Sequence, residues 1–221
     1  MLSLMKLKSI LMKLKPGNKQ FFQSVWVSFS NKVLIFYVVI IGFLGGIVSV
    51  TWPLSSHYSI GAVTLGSWIA WPDQGNLKID PYSLAMINNN GDIPLGTGEG
   101  VLFRAWTDSE GRELLNTCQY VIGSSVPSAR FWTISFYGTD GKAVSNIQKR
   151  QGFTSVEIMR DNKGEFEILA SPTAQPGNWI QLENKGKFEI YLRLYDLPAS
   201  VNISALKAST LPSIVRKGCI L

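Results

Sequence analysis

The sequence predicts a mainly β fold: an antiparallel β-sandwich or jelly-roll-like domain with one short helix, carried behind a single N-terminal transmembrane helix. Three observations predict it. An uncharged apolar run, VLIFYVVIIGFLGGIVSV, fills residues 33–50. Turn signals then recur as Asp108-Ser109-Glu110-Gly111, Thr139-Asp140-Gly141, Asp161-Asn162-Lys163-Gly164 and Asn184-Lys185-Gly186. Between them, apolar and polar side chains alternate with the period of two that gives a strand one buried face.

Residues 1–32 read as a basic cytoplasmic segment. Lys6, Lys8, Lys13, Lys15, Lys19 and Lys32 lie in it, and the first acidic residue is Asp73. Leu4, Leu7, Leu11 and Leu14 fall on one helical face, so residues 1–15 form either a membrane-surface helix or a disordered basic tail. The following 18 residues would rise about 27 Å as a helix, close to the roughly 30 Å of a bilayer core. Extension to Trp52 gives a span of 33–52 with an indole at the interface, and Pro53 is expected to end the helix. The long preceding segment and the absence of a small-x-small exit favour a retained signal anchor over a cleaved signal peptide. Lysines before the span and none close after it place the N-terminus in the cytoplasm and the rest outside.

Residues 53–66 read as a linker and 67–221 as the exported domain. Asp80-Pro81 offers an N-cap and a first-turn proline, and Asn88-Asn89-Asn90-Gly91 ends the short helix. Strands are expected at 100–106, 117–123, 130–137, 156–159, around 166–168, at 178–182 and at 188–195. In the last of these Phe188, Ile190, Leu192 and Leu194 share one face, and Glu189, Tyr191, Arg193 and Tyr195 the other. The tail up to Pro212 reads as irregular or weakly helical.

Composition narrows the function classes. The chain has 221 residues, 46% hydrophobic and 16% charged, with a formal charge of +6. This excludes disorder, and two cysteines exclude a disulfide-dense miniprotein. Of 21 Lys and Arg, six precede residue 33; the remaining 15 balance 15 Asp and Glu. The positive charge therefore marks topology, and a nucleic-acid partner is not expected. The single histidine, His57, lies just past the span, so the domain holds no Ser-His-Asp or Cys-His site and no closed zinc site. No metal, cofactor or catalytic residue is assigned. Gly96-Thr97-Gly98-Glu99-Gly100 precedes a strand rather than a helix, which makes it a turn and not a phosphate loop. Asp80, Asp92, Glu99, Glu113 and Asp196 are the carboxylates on offer, and no spacing joins any two.

Cys118 and Cys219 both fall on the exported side, where thiols oxidise, and a bridge between them is expected. Trp68, Trp71, Trp106, Trp132 and Trp179 are core material first, but indoles also line sugar sites and anchor interfaces. The binding candidates are Trp71, Trp132, Tyr137, Trp179 and Arg193, with salt bridging the commoner role for such an arginine.

Taken together, GSWIAWP (66–72), DPYSLA (80–85), IPLGTGEG (93–100), Gly111-Arg112 with Cys118-Gln119-Tyr120, ARFWTISFY (129–137), FTSVEIMRD (153–161), SPTAQPGNWI (171–180), LRLYD (192–196) and LPSIVRKGC (211–219) resemble Domain of Unknown Function family 1214. The resemblance covers residues 60–220 and implies a compact β-sandwich, in a short, membrane-anchored bacterial version. It also implies a companion, Domain of Unknown Function family 1254, encoded beside such proteins or fused to them. A separately encoded companion is therefore an expected partner, beside the inner membrane itself. It brings no catalytic residues. The expected function is a membrane-anchored envelope protein whose periplasmic β-sandwich binds a partner protein or an envelope glycan or lipid. The alternative is a carboxylate-dependent enzyme acting on envelope carbohydrate or a small metabolite, assisted by Arg130 or Arg193.

Overall fold

The structure, a computed structural model, describes residues 16–55, 61–76, 79–89, 95–96, 98–144, 146–183, 186–198 and 203–219. Residues 1–15, His57 and Asp92 lie outside the described residues, and with them the surface helix and part of the expected linker. The chain divides into two units, residues 1–56 and 57–221.

The first unit is one helix, α1 (Pro16–Ser55). Its stretch Asn31–Thr51, 21 residues, is long and apolar enough to cross a membrane. At 1.5 Å per residue that stretch rises about 31 Å, and large side chains such as Phe36, Ile41 and Phe43 are exposed along it. The helix runs two residues past Pro53 instead of stopping there. A proline removes its own N–H and crowds the carbonyl one turn back, but within the last turn that costs a single bond.

The second unit holds β1 (Val63–Leu65), β2 (Trp68–Ala70), α2 (Pro81–Asn89), β3 (Gly100–Ala105), β4 (Cys118–Ser124), β5 (Phe131–Gly138), β6 (Gly152–Thr154), β7 (Phe166–Ser171), β8 (Asn178–Gln181), β9 (Phe188–Tyr195) and β10 (Ser213–Cys219). A six-stranded sheet runs β1-β2-β3-β9-β5-β6, and a four-stranded sheet runs β10-β4-β7-β8. The expected alternation holds: Val101, Phe103, Ile134, Phe136, Ile190 and Leu192 are buried on the inner face of the larger sheet. Across the interior they meet Tyr120, Ile122, Ile168 and Ile180 of the smaller one, in a single hydrophobic core. Two ring contacts bridge the sheets, Trp132 on Phe166 at 4.9 Å and Tyr120 edge-on to Phe188 at 5.5 Å.

Local chemistry explains the turns. Asp80 Oδ1 accepts from the backbone N–H of Tyr82 and Ser83, both at 3.0 Å, which caps α2 as expected. The turns at 108–112 and 161–165 share one device. In each, the aspartate Oδ1 accepts from the N–H groups two and four residues on, at 2.9–3.0 Å. Gly111 and Gly164 take φ of 82° and 79° there, a conformation that L side chains adopt reluctantly.

The strand expectations need three corrections. Residues 156–159 are not a strand: Ile158 N–H turns back to Thr154 O at 3.2 Å, and Asn178 clips Met159 through both its N–H and its carbonyl at 2.8 Å. The strand there is the shorter β6. The smaller sheet is not wholly antiparallel, because β8 runs parallel to β7 after only six residues, 172–177. Ser171 O fixes that reversal by accepting from Trp179 Nε1 and Leu182 N–H, each at 3.1 Å. β1, β2 and β10 were not expected, and β10 brings Cys219 directly opposite Cys118, where the two form a disulfide.

Candidate functional site

Alternation along β9 sends Tyr191 and Arg193 to the face of the larger sheet that points away from the core. Register then decides their neighbours. Tyr191 stands between Arg104 of β3 and Ser135 of β5, Arg193 between Leu102 and Thr133, and Glu189 opposite Tyr137. These pairings assemble a row of cations on aromatic rings. The Arg104 guanidinium lies 4.8 Å from the Tyr191 ring and 5.8 Å from Trp71. Arg193 lies 5.4 Å from Tyr191 and 5.6 Å from Tyr137, and the two tyrosine rings are 4.4 Å apart. Arg193 Nη1 also donates to the Tyr137 hydroxyl at 3.4 Å.

Trp71, Arg104 and Tyr191 are buried; Tyr137 and Arg193 are half-buried and form the accessible end of the row. Burial pushes the Tyr191 phenol up to about 12, with Arg104 working in the opposite sense. Burial lowers the proton affinity of the Arg104 guanidinium, with Tyr191 and Glu189 opposing that shift without cancelling it and Arg193 adding to it. The expected salt bridge of Arg193 is absent among the described residues: its charge rests on ring faces, while Arg130 is the arginine that pairs with Asp196, at 3.3 Å.

Three of the five candidates, Trp71, Tyr137 and Arg193, thus belong to one constellation. Trp132 does not: it is 3% exposed and stacked on Phe166, so no ligand reaches it without opening the core. Trp179 stands on the other sheet, beside a cleft of 510 Å³ lined also by Gln148, Arg150, Phe153, Glu157 and Gln175. Sequence reasoning missed Arg104. A lone arginine inside the apolar run Gly100–Ala105 was the available signal, but only the β3–β9 register shows that it meets Tyr191.

Four of the five carboxylates on offer are accounted for locally, and the fifth, Asp92, lies outside the described residues. Asp80 caps α2, Glu99 Oε2 accepts from Gly96 N–H at 3.2 Å, Glu113 pairs with Lys187 at 2.8 Å and Asp196 pairs with Arg130. Asp80 and Asp108 are held below the ordinary carboxyl range, the opposite of what a general acid needs. For Asp80 the leading cause is the Ser83 side chain. For Asp108 burial alone would raise it, but hydrogen bonds from Arg112 and Glu110 outweigh burial. No group of three or more His, Cys, Asp or Glu side chains that could hold a metal ion occurs among the described residues.

Comparison with solved structures finds the same fold in the VPA0106 protein of Vibrio parahaemolyticus, at 20% identity and a TM-score of 0.52, over 63% of this chain and 36% of that one. An uncharacterized protein of Burkholderia cenocepacia matches at 18% identity and a TM-score of 0.37, over 56% of this chain and 30% of that one. The chain therefore spans about a third of the length of the solved structures it matches. No curated protein matches it. Residues 99–199, which run from the turn before β3 past the end of β9 and include Arg104, Tyr137, Tyr191 and Arg193, match the family described as Protein of unknown function (DUF1214), the one that the sequence motifs resemble.

Proposed function

We propose that this protein is a membrane-anchored binding module, with α1 as the anchor and the β domain exported into the envelope. The outer face of the six-stranded sheet is its binding surface. A ligand bearing an anionic group, on a partner protein or on an envelope glycan or lipid, docks on Arg193 between Tyr137 and Tyr191. A separately encoded protein of family 1254 is one such partner. The single observation behind this reading is that the half-exposed Arg193 guanidinium lies over the rings of Tyr137 and Tyr191, at the accessible end of the row. A cation so placed keeps its capacity for a ligand's carboxylate or phosphate, and tyrosine with arginine is a usual interface composition.

Chemical crosslinking in native membranes, followed by purification of the full chain, tests this. Wild type should recover a stoichiometric partner or an envelope glycan or lipid that Arg193→Glu loses. Equal recovery by both, or a monodisperse monomer with nothing attached, would refute the reading. Turnover of a captured glycan by the purified chain would favour the carboxylate enzyme instead.

A further inference from the structure

A second surface lies on the other sheet and has a different chemistry. Val215 of β10 stands opposite Val121 of β4, Val121 opposite Leu169 of β7, and Leu169 opposite Trp179 of β8. Ile214, Ile122, Ile168 and Ile180, each next to one of these four along its strand, are buried, so the four point outward. An unbroken apolar row therefore crosses the outer face of the smaller sheet, where an antiparallel sheet facing water would carry polar side chains. Val215 is 39% exposed, and Met159 beside the row is 58% exposed.

Part of this row is the floor of a depression of 590 Å³, lined by Val121, Leu169, Met159 and Pro176. Its rim is acidic: Asp161, Glu165 and Glu167 line it against one cation, Arg160. That cation is already engaged. Arg160 Nη1 donates to Gly164 O at 2.9 Å and the guanidinium lies over the rings of Trp132 and Phe166. Glu165 and Glu167 have no ion pair among the described residues. Both hydrogen bonds between Asn178 and Met159 hold the wall of the depression in place, so the surface is preformed.

We infer that this face docks an amphipathic, basic segment of a partner protein. Its apolar side chains cover Val121, Leu169 and Trp179, and its lysines or arginines reach Glu165 and Glu167. The argument is charge complementarity around an apolar floor, and it does not depend on the Arg193 face, which belongs to the other sheet.

The test uses the full chain in phosphatidylcholine nanodiscs, with a photo-crosslinking residue in place of Leu169. The probes are an amphipathic Leu/Lys peptide and its Leu/Glu counterpart. The Leu/Lys peptide should crosslink and bind, the Leu/Glu peptide should not, and the double variant Glu165→Gln, Glu167→Gln should weaken binding about tenfold. Leu169→Asp should abolish it with the near-ultraviolet circular dichroism unchanged, and Arg193→Ala should leave it intact. Equal binding of both peptides, or no effect of the double variant, overturns the proposal. So does a dimer in sedimentation that Leu169→Asp dissolves, which would make a second copy the occupant. Trp179 fluorescence quenched by maltotriose in competition with the peptide would make a saccharide the occupant and equally overturn it.

Discussion

Arg216 Nε lies 3.2 Å from Asp108 Oδ2, which ties β10 to a buried carboxylate in the turn that follows β3. The same guanidinium sits over the Tyr120 ring and donates to Glu113 O. Asp108 also takes the Nε of Arg112 at 2.9 Å, so one buried carboxylate serves two arginines and two backbone N–H groups. Its folded pKa is depressed, and its contribution is therefore present above the unfolded value near 3.8 and lost as pH falls through the folded value. Asp108→Asn should destabilise the domain by about 2–4 kcal/mol at neutral pH. The difference from wild type should shrink below about pH 4, as measured by urea unfolding across pH.

Cys118 and Cys219 close a loop with a sequence separation of 101. On the chain-entropy view a bridge of that span is worth about 4–5 kcal/mol as an upper figure, since real bridges often deliver less. The double variant Cys118→Ser, Cys219→Ser should lower the urea midpoint without abolishing β10 pairing. The Asp108–Arg216 contact and the hydrogen bonds between Ser109 and Ile214 still hold that strand. Two thiols freely alkylated in the native wild-type protein would contradict the pairing.

The strands that carry the core were legible because a two-residue period in Phe188–Tyr195 or Phe131–Gly138 has only one physical reading. The turns were legible because aspartate and glycine at fixed offsets name their hydrogen bonds in advance. Short edge strands carry no such signal: three residues at Val63–Leu65 cannot display a period. Residues 156–159 alternated like a strand, yet a single buried asparagine from β8 captures their backbone. The candidate site was half legible for the same reason. That Tyr191 and Arg193 share a face follows from β9 alone, whereas the meeting of Tyr191 with Arg104, and of Leu169 with Trp179, is fixed by register between distant strands.

Trp132 and Trp179 have opposite environments, and substitution should separate them. Trp132→Ala leaves a cavity against Phe166 and should cost about 3–5 kcal/mol. Trp179→Ala removes a half-buried ring at a sheet edge, and its main loss is the bond to Ser171 O, about 1 kcal/mol. Thermal unfolding of the two variants decides this. Comparable losses would mean that Trp179 is structural rather than part of an exposed docking row.

Tyr191 supplies an alkaline counterpart to Asp108. Its folded pKa is raised above the unfolded value of 10.0 to about 12, chiefly by burial, so the fold favours the neutral phenol. The resulting stability is fully present below pH 10 and is lost as pH rises through 12, on the order of 2–3 kcal/mol. Tyr191→Phe keeps the ring under Arg104 and beside Tyr137 but has no proton to lose. Wild type should therefore weaken steeply between pH 10 and 12 in urea unfolding, and Tyr191→Phe should weaken less. A smaller fall remains from Tyr120, whose phenol burial also raises. Phenolate absorbance after a pH jump, read before unfolding, should show one tyrosine fewer in the late-titrating class of the variant. Identical alkaline profiles would mean that Tyr191 is open to solvent, and the buried half of the Arg104–Tyr191–Arg193 row would have to be redrawn.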